Sequence, residues 1–356
     1  MKMLNFDHCQ EDYTRAYGGM AGRKIPIIYQ NEAYLLKLPG NLKDRGLKNV
    51  ELSYSNSPFS EYIGSHIYEI LGVNVHKTLL GIYHQEGKEK IVCACKDFEC
   101  NGGKLLEFRE LKVSFSGDIV DSEGYDTDGN GTDLVDTLQT ILKHPILQSC
   151  TGVMERFWDM FVVDAFIGNP DRNNGNWGIL VYPDKKVSLA PVYDNGSSLN
   201  CRWSDERMKA YIEQRSLLEN QAYRAKTCIY KLHGRNINPY HLIQGGKFPE
   251  CDEAVKRIVS RIDLLEIKKM IDEIPCMSEI RKQYYKEILS LRMDKILEPT
   301  LNRIQGKKQE NALNHIFGAE MRGADYKSDR ILPKGKGKEP RITDQQEDVR
   351  DFDIER

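Results

Sequence analysis

The sequence predicts an α+β chain of two lobes: a β-rich first lobe over residues 1–98 and a mainly helical second lobe over residues 99–304. Three observations carry this. Short apolar runs divided by Gly- and Asn-containing turns fill the first lobe, the pattern of strands and hairpins. Longer stretches with apolar residues at helical spacing follow from about Gly152. Within the second lobe a polar loop rich in Gly and Asn, Gly168 to Leu180, interrupts the helical pattern. A chain of 356 residues has room for both lobes, and 40% hydrophobic with 29% charged residues is a globular composition.

In chain order, YGGMAGRK (17–24) is a glycine-rich turn leading into the apolar run Ile25–Tyr29. A turn at Gln30-Asn31-Glu32 returns the chain through Tyr34–Leu38, so the pair reads as a hairpin with the glycines at its entrance. Glycines let backbone N–H groups approach phosphates closely. Gly18 and Gly22 are too close together for a Walker A loop and no helix signal follows, so the readings are a flap over a nucleotide or a plain turn. Lys37 lies between Leu36 and Leu38, facing either solvent or a ligand.

A helix is expected at 58–71, with Ser57 as N-cap, Pro58 at its first position and Gly72 just past its end. Phe59, Tyr62, Ile63, His66, Ile67, Ile70 and Leu71 share one face, which makes His66 a packed core residue. Counting about 100° per residue puts Glu61 opposite that stripe, where a first-turn carboxylate favoured by the helix dipole is the plain reading. Strands at 78–83 and 90–94 precede Lys96-Asp97-Phe98, and a loose stretch at 99–104 marks the lobe boundary.

DTDGNGTDLVDT (126–137) has Asp126, Asp128, Asn130 and Gly131 where a calcium loop needs them. Thr137 stands in place of the required bidentate Glu, so a solvated loop with Asp133 capping the next helix is the better account. Gly152–Ile167 is a long helix with Phe157 and Trp158 in the core and Asp164 near its end. Amphipathic helices at 254–274 and 281–297 are expected to stop at Pro275 and Pro299. From 305 to 356 the chain is charged and poor in apolar residues, a flexible tail with one short helix near 311–317.

The net charge of −2, from 51 Lys+Arg and 53 Asp+Glu, gives no whole-chain attraction to nucleic acid. Nine scattered cysteines without paired CxxC units fit a reducing compartment and no structural zinc. No signal peptide and no run of about 18 apolar residues is present, so the expectation is a protein made in the cytoplasm without a membrane span. Export by a machine reading other signals is not legible.

The chemistry gathers at the polar loop. Asp171 and Asn176 stand five apart in it, a strand runs over 177–181, a second over 187–192, and Asp194 follows. A carboxylate, an amide five residues on and a carboxylate after a short hairpin suit phosphoryl transfer. One carboxylate orients and deprotonates the attacking hydroxyl, while the amide oxygen and the other carboxylate hold Mg²⁺ on the nucleotide phosphates.

The wording of these motifs resembles the protein-kinase-like superfamily and is similar to HipA-like bacterial serine/threonine kinases, most of all the cell-translocating kinase A subgroup. Lys96–Phe98 reads KDF, Trp158–Val162 reads WDMFV, and Asp171–Gly178 reads DRNNGNWG. Eukaryotic kinase wording is absent: Asn169 occupies the H-R-D histidine position, Asp194-Asn195-Gly196 replaces D-F-G, and no A-P-E follows. The resemblance runs from about Tyr17 to Leu297.

It implies a two-lobed kinase-like fold, use of ATP and Mg²⁺, and phosphorylation of Ser or Thr in protein substrates, its own chain included. It implies that Asp171 is the base, that Asn176 and Asp194 hold metal, and that Lys37 grips phosphates under Gly18, Gly19 and Gly22. It also implies that backbone groups of Lys96, Asp97 and Phe98 meet the adenine. Glu61 matches the family's helix glutamate and would pair with Lys37, against the plain reading above. HipA itself carries a sizeable subdomain before its glycine turn and pairs with a DNA-binding antitoxin. Here the turn begins at Gly18, which leaves that subdomain no room and puts a HipB-type partner in doubt; toxicity stays open. The alternatives are a small-molecule or phosphoinositide kinase and a nucleotide-binding pseudokinase scaffold. Intact Lys37, Asp171, Asn176 and Asp194 speak against the scaffold.

Overall fold

The computed structural model describes residues 3–15, 24–42, 52–99, 102–116, 129, 131–224, 228–232 and 234–306. Gly18, Gly19, Gly22, the calcium-like Asp126, Asp128 and Asn130, and the tail past Gly306 lie outside them.

A six-stranded sheet forms the first lobe, built from β1 (Leu4–Asn5), β2 (Gln10–Glu11), β3 (Lys24–Tyr29), β4 (Glu32–Lys37), β5 (Thr78–Gln85) and β6 (Lys88–Lys96) in the order β1-β5-β6-β4-β3-β2. Both long hairpins close through two left-handed residues, Gln30-Asn31 (φ 50° and 63°) and Glu86-Gly87 (φ 54° and 73°). Such turns match the right-handed twist of the strands they join. One sheet face buries Phe6, Ile25, Ile27, Leu36 and Val92. Helix α1 (Ser57–Ile70) packs on β5 and β6.

Three expectations about α1 need correction. Asn56, not Ser57, is the N-cap residue, and no side chain caps the helix; the Ser57 hydroxyl instead hydrogen-bonds Ser55 at 2.9 Å. Glu61 does not face solvent: it is 1% exposed, because α1 is buried on its polar side as well. The small residues Ser60, Gly64 and Ser65 lie on that side, and a Cβ added at Gly64 would stand 2.8 Å from Cβ of Asn195. The segment after β9 therefore comes up against the helix. His66 is only half-buried, its ring 3.9 Å from that of Tyr62 and its Nδ1 2.9 Å from the Tyr62 carbonyl oxygen.

The second lobe opens with β7 (Lys104–Glu107), which pairs with β8 (Gly178–Val181) in a three-stranded sheet completed by β9 (Val187–Leu189). The sequence pattern missed β7. Helices α2 (Phe108–Ser116), α3 (Leu134–Lys143), α4 (Pro145–Ser149) and α5 (Val153–Ile167) follow in the chain before β8. Asp133 caps α3 as expected, accepting from the N–H groups of Val135 at 2.9 Å and Asp136 at 3.4 Å. Asp133→Ala is expected to cost about 1 kcal/mol of stability, measured by urea unfolding. Helix α5 is the core: Phe157, Trp158, Val162, Val163 and Phe166 are buried, and left-handed glycines, Gly152 (φ 82°) and Gly168 (φ 65°), bracket it.

Past β9 come α6 (Asp205–Glu213), α7 (Arg215–Ala222), the hairpin β10 (Lys231–Leu232) and β11 (Arg235–Asn236), and α8 (Pro239–Gly245). The single helix expected at 254–274 is two, α9 (Pro249–Val259) and α10 (Leu264–Asp272). Asp263 causes the break: its carboxylate accepts from Leu265 N at 2.9 Å and Glu266 N at 3.0 Å and starts a new helix. Nor does Pro299 end the last helix among the described residues. After α11 (Glu279–Arg292) a wide π-helical turn, Met293–Leu297, accommodates the proline, and helix continues to Gly306. Proline has no N–H for the Lys295 carbonyl, and the Tyr223 hydroxyl donates to that oxygen instead, at 2.9 Å. No helix among the described residues is long and apolar enough to cross a membrane.

Candidate active site

Four elements converge where the lobes meet. Lys37, the last residue of β4, points from the sheet, and its Nζ lies 2.8 Å from Oε2 of Glu61 and 2.9 Å from Oδ1 of Asp194. Burial opposes a charge on Lys37, but Asp194 and Glu61 outweigh it and raise its pKa well above the ordinary lysine value. Burial likewise opposes the charge on Glu61, and Lys37 and His76 outweigh it, holding the carboxyl well below the usual range. The other carboxylate oxygen of Glu61 accepts from Asn195 N at 3.1 Å and stands 3.0 Å from His76 Nε2. Glu61 thus ties α1 to the sheet, to the α1–β5 loop and to the residue after Asp194.

Asp194 has a left-handed backbone, φ 61°, at the bend that turns the chain from β9 toward α1. Across from it the 171–176 loop is held by its own side chains. Asn169 Oδ1 accepts from Asp171 N at 3.2 Å, and Asn176 Nδ2 donates to the Asp171 carbonyl at 2.7 Å. That donation leaves the Asn176 amide oxygen as its other polar atom. The Asp171 carboxylate accepts from Asn173 Nδ2 at 3.1 Å and from the Ser197 hydroxyl at 3.4 Å. Burial first, and the charge of Asp194 second, raise the Asp171 pKa above the ordinary carboxylate value.

A buried arginine holds these walls together. Arg172 is 3% exposed. Its guanidinium binds Asp164 of α5 through Nε at 2.8 Å, the Asn176 carbonyl at 2.8 Å, Asn195 Oδ1 at 2.6 Å and the Tyr193 carbonyl. Asp164 also accepts from the Tyr68 hydroxyl at 2.9 Å and from Asn169 at 3.2 Å. Burial works against the charge on Arg172; the Asp164 carboxylate outweighs it and raises the guanidinium pKa. The sequence places Asp164 near the loop and Arg172 in its motif without giving either this part, and it gives none to His76, Asn195 or Ser65, whose hydroxyl accepts from Asn195 Nδ2 at 3.1 Å and stands 3.2 Å from His76 Nε2.

At the lobe junction Lys96 N donates to the Lys77 carbonyl at 2.8 Å and Asp97 N to the Ala33 carbonyl at 2.9 Å. Those two N–H groups are therefore engaged in the fold. The Asp97 side chain pairs with Arg15 and accepts from Glu99 N at 2.7 Å, and the Phe98 ring lies 5.5 Å from that of Tyr193.

No family model matches the chain. Over 304 residues, 84% of this chain and 87% of the relative, it is 35% identical to the serine/threonine-protein kinase CtkA of Helicobacter pylori strain J99. The crystal structure of a Helicobacter pylori proinflammatory kinase CtkA matches with a TM-score of 0.77 at 33% identity, covering 86% of this chain and 98% of that one. HipA in the Shewanella oneidensis MR-1 complex with HipB and operator DNA matches at a TM-score of 0.47 and 15% identity, over 80% of this chain and 67% of that one, too distant to bear on function.

Proposed function

The chain belongs to the family of the serine/threonine-protein kinase CtkA, and from that premise we propose that it transfers the γ-phosphoryl group of ATP to Ser or Thr hydroxyls of protein substrates, its own chain among them. The observation that carries the reading is the convergence of Lys37, Glu61 and Asp194 from strand, helix and loop into one ion-pair set. A lysine so held is fixed as a cation for nucleotide phosphates. Asp171 accepts the proton of the attacking hydroxyl; the Ser197 hydroxyl already donates to its carboxylate, the contact an acceptor makes. Asn176 and Asp194 offer an amide oxygen and a carboxylate, hard oxygen donors that suit Mg²⁺. Bound there, Mg²⁺ supplies charge neutralisation for the phosphates. Arg172 keeps both donors in place through the Asn176 and Tyr193 carbonyls. The junction backbone at Lys96, Asp97 and Phe98 is the adenine-binding edge, through groups other than the Lys96 and Asp97 N–H that the fold already engages.

The raised Asp171 pKa gives a pH prediction. The base works only when ionised, so kcat/KM falls on the acid side with a midpoint above the ordinary Asp value of about 3.9. A flat profile down to that value contradicts the assignment.

The test of the reaction is purified full-length chain with γ-labelled ATP and Mg²⁺, offered a generic protein acceptor and phosphoinositide vesicles together. Label on serine or threonine of protein is expected. Label on lipid alone points to a phosphoinositide kinase, and nucleotide binding without any transfer to a scaffold.

A further inference from the structure

Behind the Lys37 ion pair lies a second cluster that shares Glu61 with it and adds two residues, His76 and Cys95, that phosphoryl transfer does not use. Glu61 of α1, His76 of the α1–β5 loop and Cys95 of β6 each present one donor atom, and the three atoms all lie within 4.8 Å of one another. All three residues are buried, at 1%, 5% and 3% exposure. Each rests on rigid backbone. Cys95 sits mid-sheet, opposite Leu35 on one side and Thr78 on the other. His76 N donates to the Val192 carbonyl at 3.0 Å, beside the bridge that pairs Val75 with Val192.

We propose that Glu61, His76 and Cys95 form a binding site for a zinc-class divalent cation, joined through Glu61 to the lysine of the active site. The donor set selects the ion. Thiolate, imidazole and carboxylate together suit Zn²⁺, whereas Mg²⁺ wants oxygen alone. Donors of a tetrahedral zinc stand about 3.3–3.7 Å apart, so side-chain rotations of about an ångström close the present spacing. Carboxylate and thiolate neutralise the ion's two charges, the thiol proton leaving to solvent on binding. The Glu61 oxygen near His76 is not the one that meets Lys37, which keeps Oε2 at 2.8 Å and Asp194 at 2.9 Å. Zinc and Lys37 then share one carboxylate. The metal draws that charge toward itself and weakens the lysine's hold, so occupancy lowers turnover.

The binding arm of the test needs no catalysis and stands or falls apart from the kinase reading. Reduced full-length chain is titrated with Co²⁺. A thiolate-to-cobalt charge-transfer band and tetrahedral visible bands are expected, saturating at a single equivalent and displaced by Zn²⁺. Cys95→Ser removes the charge-transfer band, and His76→Gln weakens binding by about tenfold or more, each with wild-type circular dichroism. Should Cys95→Ser not fold, His76→Gln reads the same site from the visible bands. Absence of a thiolate band, or a band unchanged in both variants, overturns the proposal. In the kinase assay micromolar Zn²⁺ inhibits wild type and spares Cys95→Ser; equal inhibition of both refutes the coupling.

Discussion

Asp171→Asn lowers phosphoryl transfer by about 10²–10⁴-fold while fold and nucleotide binding persist. The amide keeps the size of the side chain and, through its oxygen, the contact with Asn173; toward Ser197 it can only donate, and it takes no proton from an attacking hydroxyl. Stability should move the other way. Burial and Asp194 raise the Asp171 pKa in the folded state, so what this group adds to stability is fully present below its unfolded pKa and is lost as pH rises through the folded one. At neutral pH the ionised carboxylate is held in the fold at a cost, and a neutral amide relieves it. Paired measurements of turnover and thermal midpoint on the same preparation check both halves: activity nearly gone, midpoint equal or higher. A variant with near-normal turnover removes Asp171 from the mechanism.

Arg172→Ala is expected to have the largest effect on stability of any single change near the site, about 3–5 kcal/mol in urea unfolding. It leaves the Asp164 carboxylate buried without its cation and frees the carbonyls of Asn176 and Tyr193 together. Turnover falls with it, because both walls of the site lose their common tether. Arg172→Lys retains a charge but not the planar fork that reaches Asp164, Asn176 and Asn195 at once, and lies between. A double change, Asp164→Leu with Arg172→Met, separates the two roles. Removing both buried charges restores much of the stability without restoring activity. A loss under about 1 kcal/mol for Arg172→Ala shows that the network is not what holds the loop.

Much of the fold was legible because local chemistry and tertiary packing agree. Gln30-Asn31 tolerates the left-handed turn its hairpin demands, and Asp133 caps the helix it precedes. The misreadings arose where one residue's partners lie far along the chain. Helix α1 shows a single apolar stripe, yet its polar side is buried too, because Ser60, Gly64 and Ser65 are small enough to admit the segment around Asn195. Glu61 is therefore an interior carboxylate that helical periodicity assigns to solvent. Pro299 reads as a stop signal until the π turn and the Tyr223 hydroxyl are seen to satisfy the carbonyl it leaves free. Arg172 was in plain view beside Asp171, but its partners at 164, 176, 193 and 195 come from three elements, and no local pattern distinguishes a buried arginine from a solvated one. His76 carries no local signal in the sequence, and only its contacts with Glu61 and Ser65 of α1 give it a part.

The nucleotide is expected between β4 and the 171–194 segment, and the most direct test is a structure of the full chain with Mg²⁺ and a non-hydrolysable ATP analogue. It should show the metal on Asn176 and Asp194, phosphate oxygens on Lys37 with Glu61 still paired to it, and the γ-phosphate facing Asp171. Nucleotide bound elsewhere, or metal held without Asn176 and Asp194, would contradict it.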